Sequence, residues 1–117
     1  YRLLMEKLKL NENQSVFKVG EKPDKMYLLV KGSIGIFLPT NETRKPNFII
    51  EENELFGEMG VIENKLRMAT ARCLMDSEII SITKDEFDKR VNDSDVFVKG
   101  SLQALSFRLR AVEKKMK

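Results

Sequence analysis

The sequence predicts a mainly β domain that ends in helices, and three observations lead to this prediction. The first is a series of short segments rich in β-branched and aromatic residues, separated by turns that contain Gly, Asn or Pro. The second is a change of hydrophobic period after residue 83, where strand-like alternation gives way to helical spacing. The third is a length of 117 residues with 42% apolar side chains, which suits a single domain with its own core. Short strands at this spacing favour a closed roll or a sandwich.

Seven strands are predicted before the helices, within a β-rich part that covers about residues 5–83. They lie at residues 7–10, 15–17, 26–31, 33–38, 47–51, 67–74 and 78–83. The third and fourth strands meet at Gly32, which predicts a β-hairpin. Within the fourth strand, Ile34, Ile36 and Leu38 share one face, and Phe37 lies on the other.

Two helices are predicted at the C-terminal end, over about residues 84–91 and 95–116. The first follows Thr83, with Glu86 three residues later in the spacing of a capping box, and it ends before Asp93. In the second helix, apolar residues recur in alternating steps of four and three, at Val98, Leu102, Leu105, Leu109, Val112 and Met116. This near-heptad seam fits a helix docked on its own domain and a helix paired with a second chain equally well. A homodimer through this helix is therefore possible, and the sequence does not decide between the two arrangements.

Composition excludes several kinds of catalytic and metal site. The chain has no histidine and a single cysteine, Cys73. Serine and cysteine nucleophiles activated by His are therefore excluded, as are the usual zinc, haem and iron–sulfur sites. We expect no enzymatic activity, no metal and no cofactor. Because no disulfide can form within the chain, a reducing cytoplasm is the expected compartment, with Cys73 as a small buried residue.

Charge and hydropathy bear on possible partners. No apolar run approaches the roughly 18 residues that a membrane span needs, so we expect no membrane contact. The net charge is +3, and residues 108–117 contribute five basic side chains against one acidic side chain. A solvated helix end explains this tail more simply than nucleic acid binding does. The apolar pattern that begins at Tyr1, Leu3 and Leu4 indicates a fragment of a longer protein.

The segment 56–70 contains the predicted binding site. Gly57 and Gly60 lack a Cβ atom and allow a ligand to approach the backbone closely. Residues 58–62 form a predicted single helical turn, whose first amides suit an anion. Arg67 follows Glu58 by nine residues, and its guanidinium can donate two hydrogen bonds to a phosphate. Since Glu58 would repel a phosphate, its carboxylate better suits a sugar hydroxyl. These residues together predict a sugar-phosphate site.

This segment resembles the phosphate-binding cassette of cyclic nucleotide-binding domains. The resemblance lies in the run Phe56-Gly57-Glu58-Met59-Gly60, the nine-residue step to Arg67, and the run Arg67-Met68-Ala69-Thr70. Upstream, a second set of residues is similar to the hairpin signature of the same family: Phe17, Gly20, Glu21, Asp24, Met26, Tyr27 and Gly32. Protein kinase A regulatory subunits, nucleotide-gated channels and catabolite activator proteins contain such domains. The resemblance covers residues 5–112, and hence implies one domain over residues 1–117.

The resemblance implies a jelly-roll-like β-roll whose C-terminal helix acts as a lid or a dimer contact. It implies that Glu58 binds the ribose 2′-hydroxyl and that Arg67 binds the cyclic phosphate, helped by the amides of Gly60 and Met68. Gly57 and Met59 complete the cassette, and Ala69 and Thr70 continue the strand behind the ligand. Leu38 and residues 48–50 would form an apolar wall.

Two positions depart from the family pattern. Leu66 stands where a proline is common, and Met68 stands where Ala, Ser or Thr is common. A Thr at position 68 would be similar to a guanine-preferring pattern, so its absence favours adenine. The expected function is a non-catalytic cyclic-nucleotide sensor, with cAMP as the ligand. The alternative is a degenerate domain that binds no nucleotide and serves in protein interaction or dimerisation. No helix-turn-helix follows the last helix, so we expect no nucleic acid contact.

Overall fold

Eight strands form two four-stranded antiparallel sheets in the computed structural model, which describes residues 5–115. The first sheet has the order β1-β8-β3-β6 and the second has the order β2-β7-β4-β5. The elements are β1 (Met5–Leu10), β2 (Ser15–Phe17), β3 (Lys25–Lys31), β4 (Ile34–Phe37), β5 (Phe48–Ile50), β6 (Leu55–Phe56), α1 (Glu58–Glu63), β7 (Thr70–Cys73), β8 (Ser77–Thr83), α2 (Lys84–Asn92) and α3 (Val96–Lys115). The predicted fold class, mainly β with C-terminal helices, is confirmed.

The core lies between the two sheets, and residues from both sheets form it. Its members are Phe17, Tyr27, Leu29, Ile34, Phe56, Ala71, Cys73 and Ile79. Tyr27 stacks on Phe17 and Phe56, with ring centroids 5.9 and 5.4 Å away. Cys73 is fully buried, as expected, and burial raises the pKa of its thiol. The stacked rings and short aliphatic side chains hold the two sheets together by excluding water.

The predicted hairpin at Gly32 is wrong. β3 pairs with β8 and β6 in the first sheet, whereas β4 pairs with β7 and β5 in the second. Gly32 therefore passes the chain from one sheet to the other, with a φ of +112°. A Cβ atom there would lie 2.2 Å from Oγ of Ser77 and 2.8 Å from its Cα. The glycine is needed for a crossing between sheets rather than for a tight turn within one.

β6 and β7 also differ from the sequence-based expectations. β6 is a two-residue strand that the sequence did not predict. β7 begins at Thr70 and not at Arg67. The backbone of Arg67 instead bonds to the preceding turn, because its N–H donates to the carbonyl of Glu21 at 2.9 Å and its carbonyl accepts from Gly20 at 2.8 Å. Arg67 thus lies in the connection before the strand, where the turn at residues 18–21 fixes it.

The chain divides into two compact units, residues 1–84 and 85–117. In the second unit, Arg90 of α2 pairs with Glu86 at 2.9 Å, one helical turn earlier. The carboxylate of Asp95 accepts a bond from the N–H of Val98 at 3.0 Å, at the start of α3. Val98, Leu102 and Leu105 of the predicted seam are exposed. The side chains of Leu109, Val112 and Met116, like the opening residues Tyr1, Leu3 and Leu4, lie outside the described residues.

No described helix combines the length and the apolar character that crossing a membrane requires. The assignment of residues 1–117 to one domain stays a prediction.

Candidate functional site

The side chain of Arg67 is buried among aromatic rings and backbone carbonyls. It is only 5% exposed. Its Nη1 donates to the carbonyl of Gly57 and its Nη2 to the carbonyl of Lys25, both at 2.5 Å. The guanidinium carbon lies 4.1 Å from the ring centroid of Phe17 and 5.9 Å from that of Tyr27. The two carbonyls and the Phe17 ring together fix the position and plane of the guanidinium.

Burial lowers the pKa of Arg67, because it disfavours the charged form of the guanidinium. The nearby side chains of Tyr27, Asp24 and Glu21 partly offset this effect. Arginine nevertheless stays protonated in proteins. Its Nε is buried and has no hydrogen-bond partner among the described residues. A buried charged donor without a partner is costly, so this guanidinium is chemically suited to an oxyanion.

Two glycines bring the backbone of the cassette against the guanidinium. Gly57 precedes α1 in a left-handed conformation with φ of +74°. A Cβ atom there would lie 3.0 Å from the Phe17 ring and 3.2 Å from Nη1 of Arg67. A Cβ atom at Gly60 would lie 3.3 Å from the same nitrogen. The structure therefore shows that the Arg67 guanidinium lies close to the backbone at these two glycines. The close approach of a ligand to the same backbone stays a prediction.

The other cassette residues lie on either side of this cation. Glu58 is the first residue of α1 and directly follows Gly57, whose carbonyl binds Arg67. Glu58, Met59 and Gly60 are half-buried, and Met68 is 66% exposed. Ala69 is half-buried, as is Thr70, whose Oγ1 accepts a hydrogen bond from the N–H of Val19 at 3.2 Å. The structure thus places Glu58 and Arg67 on two segments that meet at Gly57.

The predicted apolar wall is largely open to solvent. Leu38 is 37% exposed, Phe48 is 59% exposed and Ile49 is 55% exposed. Ile50 is partly buried and packs against the core together with Ile36. Of the four wall positions, Ile50 packs on the core, whereas Leu38, Phe48 and Ile49 form exposed apolar surface.

Sequence reasoning did not identify the groups that hold Arg67. Phe17 and Tyr27 were noted only as part of a family signature, and the carbonyl of Lys25 gives no sequence signal at all. Together with Arg67, Phe17 and Tyr27 line a cavity of about 380 Å³, which Glu21, Lys22 and Asp24 also line. The one usable signal was that Phe17 and Tyr27 match the family's hairpin signature, although they lie 50 and 40 residues before Arg67 in the chain.

The fold and the site define the class of protein. Residues 7–94 match the cyclic nucleotide-binding domain, so the chain belongs to that family and is a regulatory domain of the cyclic nucleotide-binding type. The family resemblance predicted from the sequence is thereby confirmed. The roles assigned to Glu58, Arg67 and the other cassette residues stay predictions.

The chain spans only 8% of the curated relative that it matches. The chain is 30% identical over 95 residues to a cGMP-dependent protein kinase of Eimeria tenella, covering 81% of this chain and 8% of the kinase. The half-site-occupied form of the EAL enzyme Bd1971 matches with a TM-score of 0.78 and 31% identity, over 92% of this chain and 97% of that one. Its cGMP-bound and cAMP-bound forms match with TM-scores of 0.72 and 0.71, also at 31% identity, over 94% and 95% of this chain and 30% of each of those chains. The cAMP-bound PfPKA-R, at 17% identity and a TM-score of 0.73 over 97% of this chain and 37% of that one, is similar in fold alone.

Proposed function

We propose that this domain binds a cyclic nucleotide, with cAMP as the preferred ligand, and acts as a non-catalytic sensor. One observation supports this most directly: a buried, oriented guanidinium whose Nε lacks a partner among the described residues lies against two glycines of the cassette. A fixed arginine donor in a desolvated site suits an oxyanion, because charge-assisted hydrogen bonds are short and strong. A cyclic phosphate supplies such an oxyanion with a single negative charge.

Each cassette residue has a role in this proposal. Arg67 donates to the cyclic phosphate, and the backbone amides of Gly60 and Met68 add two further donors. Glu58 accepts the hydrogen bond of the ribose 2′-hydroxyl. Gly57 and Met59 shape the loop around the sugar, and Ala69 and Thr70 continue the chain behind the ligand. In this arrangement the carboxylate and the guanidinium bind different parts of one molecule.

The preference for cAMP rests on position 68. A Thr there would supply a hydroxyl near the ligand, a pattern similar to that of guanine-preferring relatives, and this chain has Met68 instead. The relatives point both ways, because Bd1971 has cAMP-bound and cGMP-bound forms and the Eimeria kinase is named for cGMP. Measured affinities for the two nucleotides therefore decide the base preference.

A sensor needs two states that bind the ligand with different affinity. We propose that binding changes the cassette and the C-terminal helix, and that the seam through Val98, Leu102 and Leu105 offers a homodimer contact. The composition supports a non-catalytic role without metal or cofactor, since the chain has no histidine. The free, buried Cys73 is in keeping with a reducing cytoplasm as the compartment. Neither a membrane nor a nucleic acid is part of the proposal.

A second candidate function is a degenerate domain that serves only in protein interaction or dimerisation. It is favoured by the existing contacts of Arg67, since two of its three nitrogens already bind carbonyls of Gly57 and Lys25. A guanidinium bound in this way stabilises the fold whether or not a nucleotide is present. Leu66, in place of the common proline, would loosen the loop beside it.

Titration calorimetry and thermal unfolding with cAMP and cGMP distinguish the two functions. A ligand at 100 times its dissociation constant should stabilise the domain by about 2.7 kcal/mol. Saturable binding of either nucleotide supports the sensor, and tighter binding of cAMP supports the base preference. Absence of heat and of any thermal shift with both nucleotides would establish the degenerate domain.

A further inference from the structure

A second cavity lies on the outer face of the second sheet, away from the core. In the pair of β4 and β7, Ile34 lies opposite Cys73 and both are core residues. Side chains alternate along each strand, so Phe37, Thr70 and Arg72 lie on the other face. This outer cleft is therefore separated from the core by the sheet itself.

The outer cleft has the size and the mixed lining of a small-molecule site. Its volume is about 380 Å³, within the range of roughly 300–1,000 Å³ that is usual for ligand pockets. Apolar side chains and a few polar groups line it: Phe37, Leu38, Pro39, Thr43, Thr70 and Arg72. An apolar wall with a small number of polar groups is the lining that orients an organic ligand.

Arg72 is the cation of this cleft. Its guanidinium carbon lies 4.2 Å from the ring centroid of Phe37, so the plane of the cation is supported by the ring. Among the described residues, no ion pair involves Arg72, and none of their carboxylates lies within 4.0 Å of its nitrogens. A half-buried guanidinium without an acidic partner attracts an anion more strongly than a paired one does.

The loop that closes one side of the cleft is held in place by its own hydrogen bonds. Nδ2 of Asn41 donates to the carbonyl of Lys45 at 2.8 Å and to Oδ1 of Asn47 at 2.7 Å. The same Oδ1 accepts a bond from the N–H of Leu38 at 3.0 Å. On the other side, Thr70 is bonded to the backbone of Val19. A cleft whose walls are already ordered loses less entropy when a ligand enters it.

We propose that the outer cleft is a second binding site, which takes a small organic oxyanion with a flat apolar body. Arg72 and the hydroxyl of Thr70, whose oxygen accepts from Val19 and whose proton is available, donate to the carboxylate or phosphate group. Phe37 and Leu38 contact the apolar body. This site is distinct from the one at Arg67 and goes beyond the proposed nucleotide function.

The test is an amide NMR titration of the domain with phenyl phosphate and with benzoate, in the presence of saturating cAMP. We expect saturable shifts confined to residues 37–43 and 70–72, while the amides around Arg67 stay unchanged. Benzyl alcohol, which is neutral, and inorganic phosphate, which lacks the apolar body, should each bind at least tenfold more weakly. Comparison of the two anionic probes identifies whether a phosphate or a carboxylate is preferred.

Two matched variants make the test specific. R72Q should weaken binding of the preferred anion at least about tenfold, since it removes the charge-assisted bonds. R44Q removes an equal charge from the loop that closes one side of the cleft, at an exposed position that does not line it. It should change the affinity for the anion less than twofold. Both variants should bind cAMP as the unchanged protein does. Equal binding of benzyl alcohol, equal losses in both variants, or an absence of saturable shifts in the cleft would each overturn the proposal.

Discussion

Replacing Arg67 with Gln removes the one buried cation of the cassette while keeping a polar side chain of similar reach. The change eliminates two charge-assisted bonds, to the carbonyls of Gly57 and Lys25, and the stacking on Phe17. It also removes the unpartnered Nε that we assign to the ligand. R67Q therefore tests two effects at once, on stability without ligand and on nucleotide affinity.

The two effects have different expected sizes. Each bond from a charged donor contributes about 1.5–3 kcal/mol, and part of this is offset because the variant no longer buries a charge. We expect a net loss of about 2 kcal/mol in unfolding free energy, or roughly 8 °C in Tm for a domain of this length. The lost bond to the phosphate should weaken cAMP binding by roughly 10–150-fold.

Titration calorimetry at 15 °C separates affinity from stability, because the variant stays folded well below its unfolding temperature. R72Q is the matched control, since it removes an arginine charge five residues later in the chain, on the outer face of β7, and should bind cAMP within twofold of the unchanged protein. If folded R67Q bound cAMP as tightly as the unchanged domain, Arg67 would not be the phosphate ligand and the proposed site would be refuted.

Three other predictions follow from the same structure. E58Q should weaken cAMP binding about tenfold but leave the affinity for 2′-deoxy-cAMP unchanged, since that ligand has no 2′-hydroxyl to donate a hydrogen bond to the carboxylate. Equal losses of affinity for both ligands in calorimetry would contradict this role of Glu58. G32A should lower the unfolding free energy by more than about 3 kcal/mol, because the new Cβ would overlap Ser77, whereas G20A, with open space around it, should cost only about 1 kcal/mol in urea unfolding. Burial raises the pKa of Cys73, so its contribution to stability is fully present below pH 9 and is lost as the pH rises above 9. C73A should therefore flatten the fall in unfolding free energy above pH 9, and an unchanged pH profile would contradict the shift.

The strengths and failures of the sequence-based reasoning have a common physical origin. The β segments and the two C-terminal helices follow from hydrophobic period and turn residues, which are local properties. The hairpin at Gly32 failed because a glycine signals an unusual φ but does not indicate which strands pair across it. The strand predicted from residue 67 failed because the turn at Gly20 and Glu21 takes the backbone bonds of Arg67. Both errors concern partners that are distant along the chain.

The cassette shows the same division. The sequence selected Gly57, Glu58, Gly60 and Arg67 by spacing and residue type. It gave no indication that Phe17 would lie beneath the guanidinium or that the carbonyl of Lys25 would bind it. Those contacts depend on where the strands come together, and a backbone carbonyl has no side-chain identity that a sequence could reveal.

The amino-acid sequence by itself determined the class of fold, the residues that form the cassette and the absence of histidine-based chemistry. It could do so because periodicity, spacing and composition are properties of the sequence that do not depend on which distant segments come into contact. Only the tertiary structure decided that the consecutive strands β3 and β4 belong to different sheets. It also decided that Arg67 is buried between an aromatic ring and two backbone carbonyls, and that Arg72 lines a separate outer cleft. These facts depend on hydrogen bonds and packing between segments up to dozens of residues apart. Their energies arise only when the chain has closed into two packed sheets.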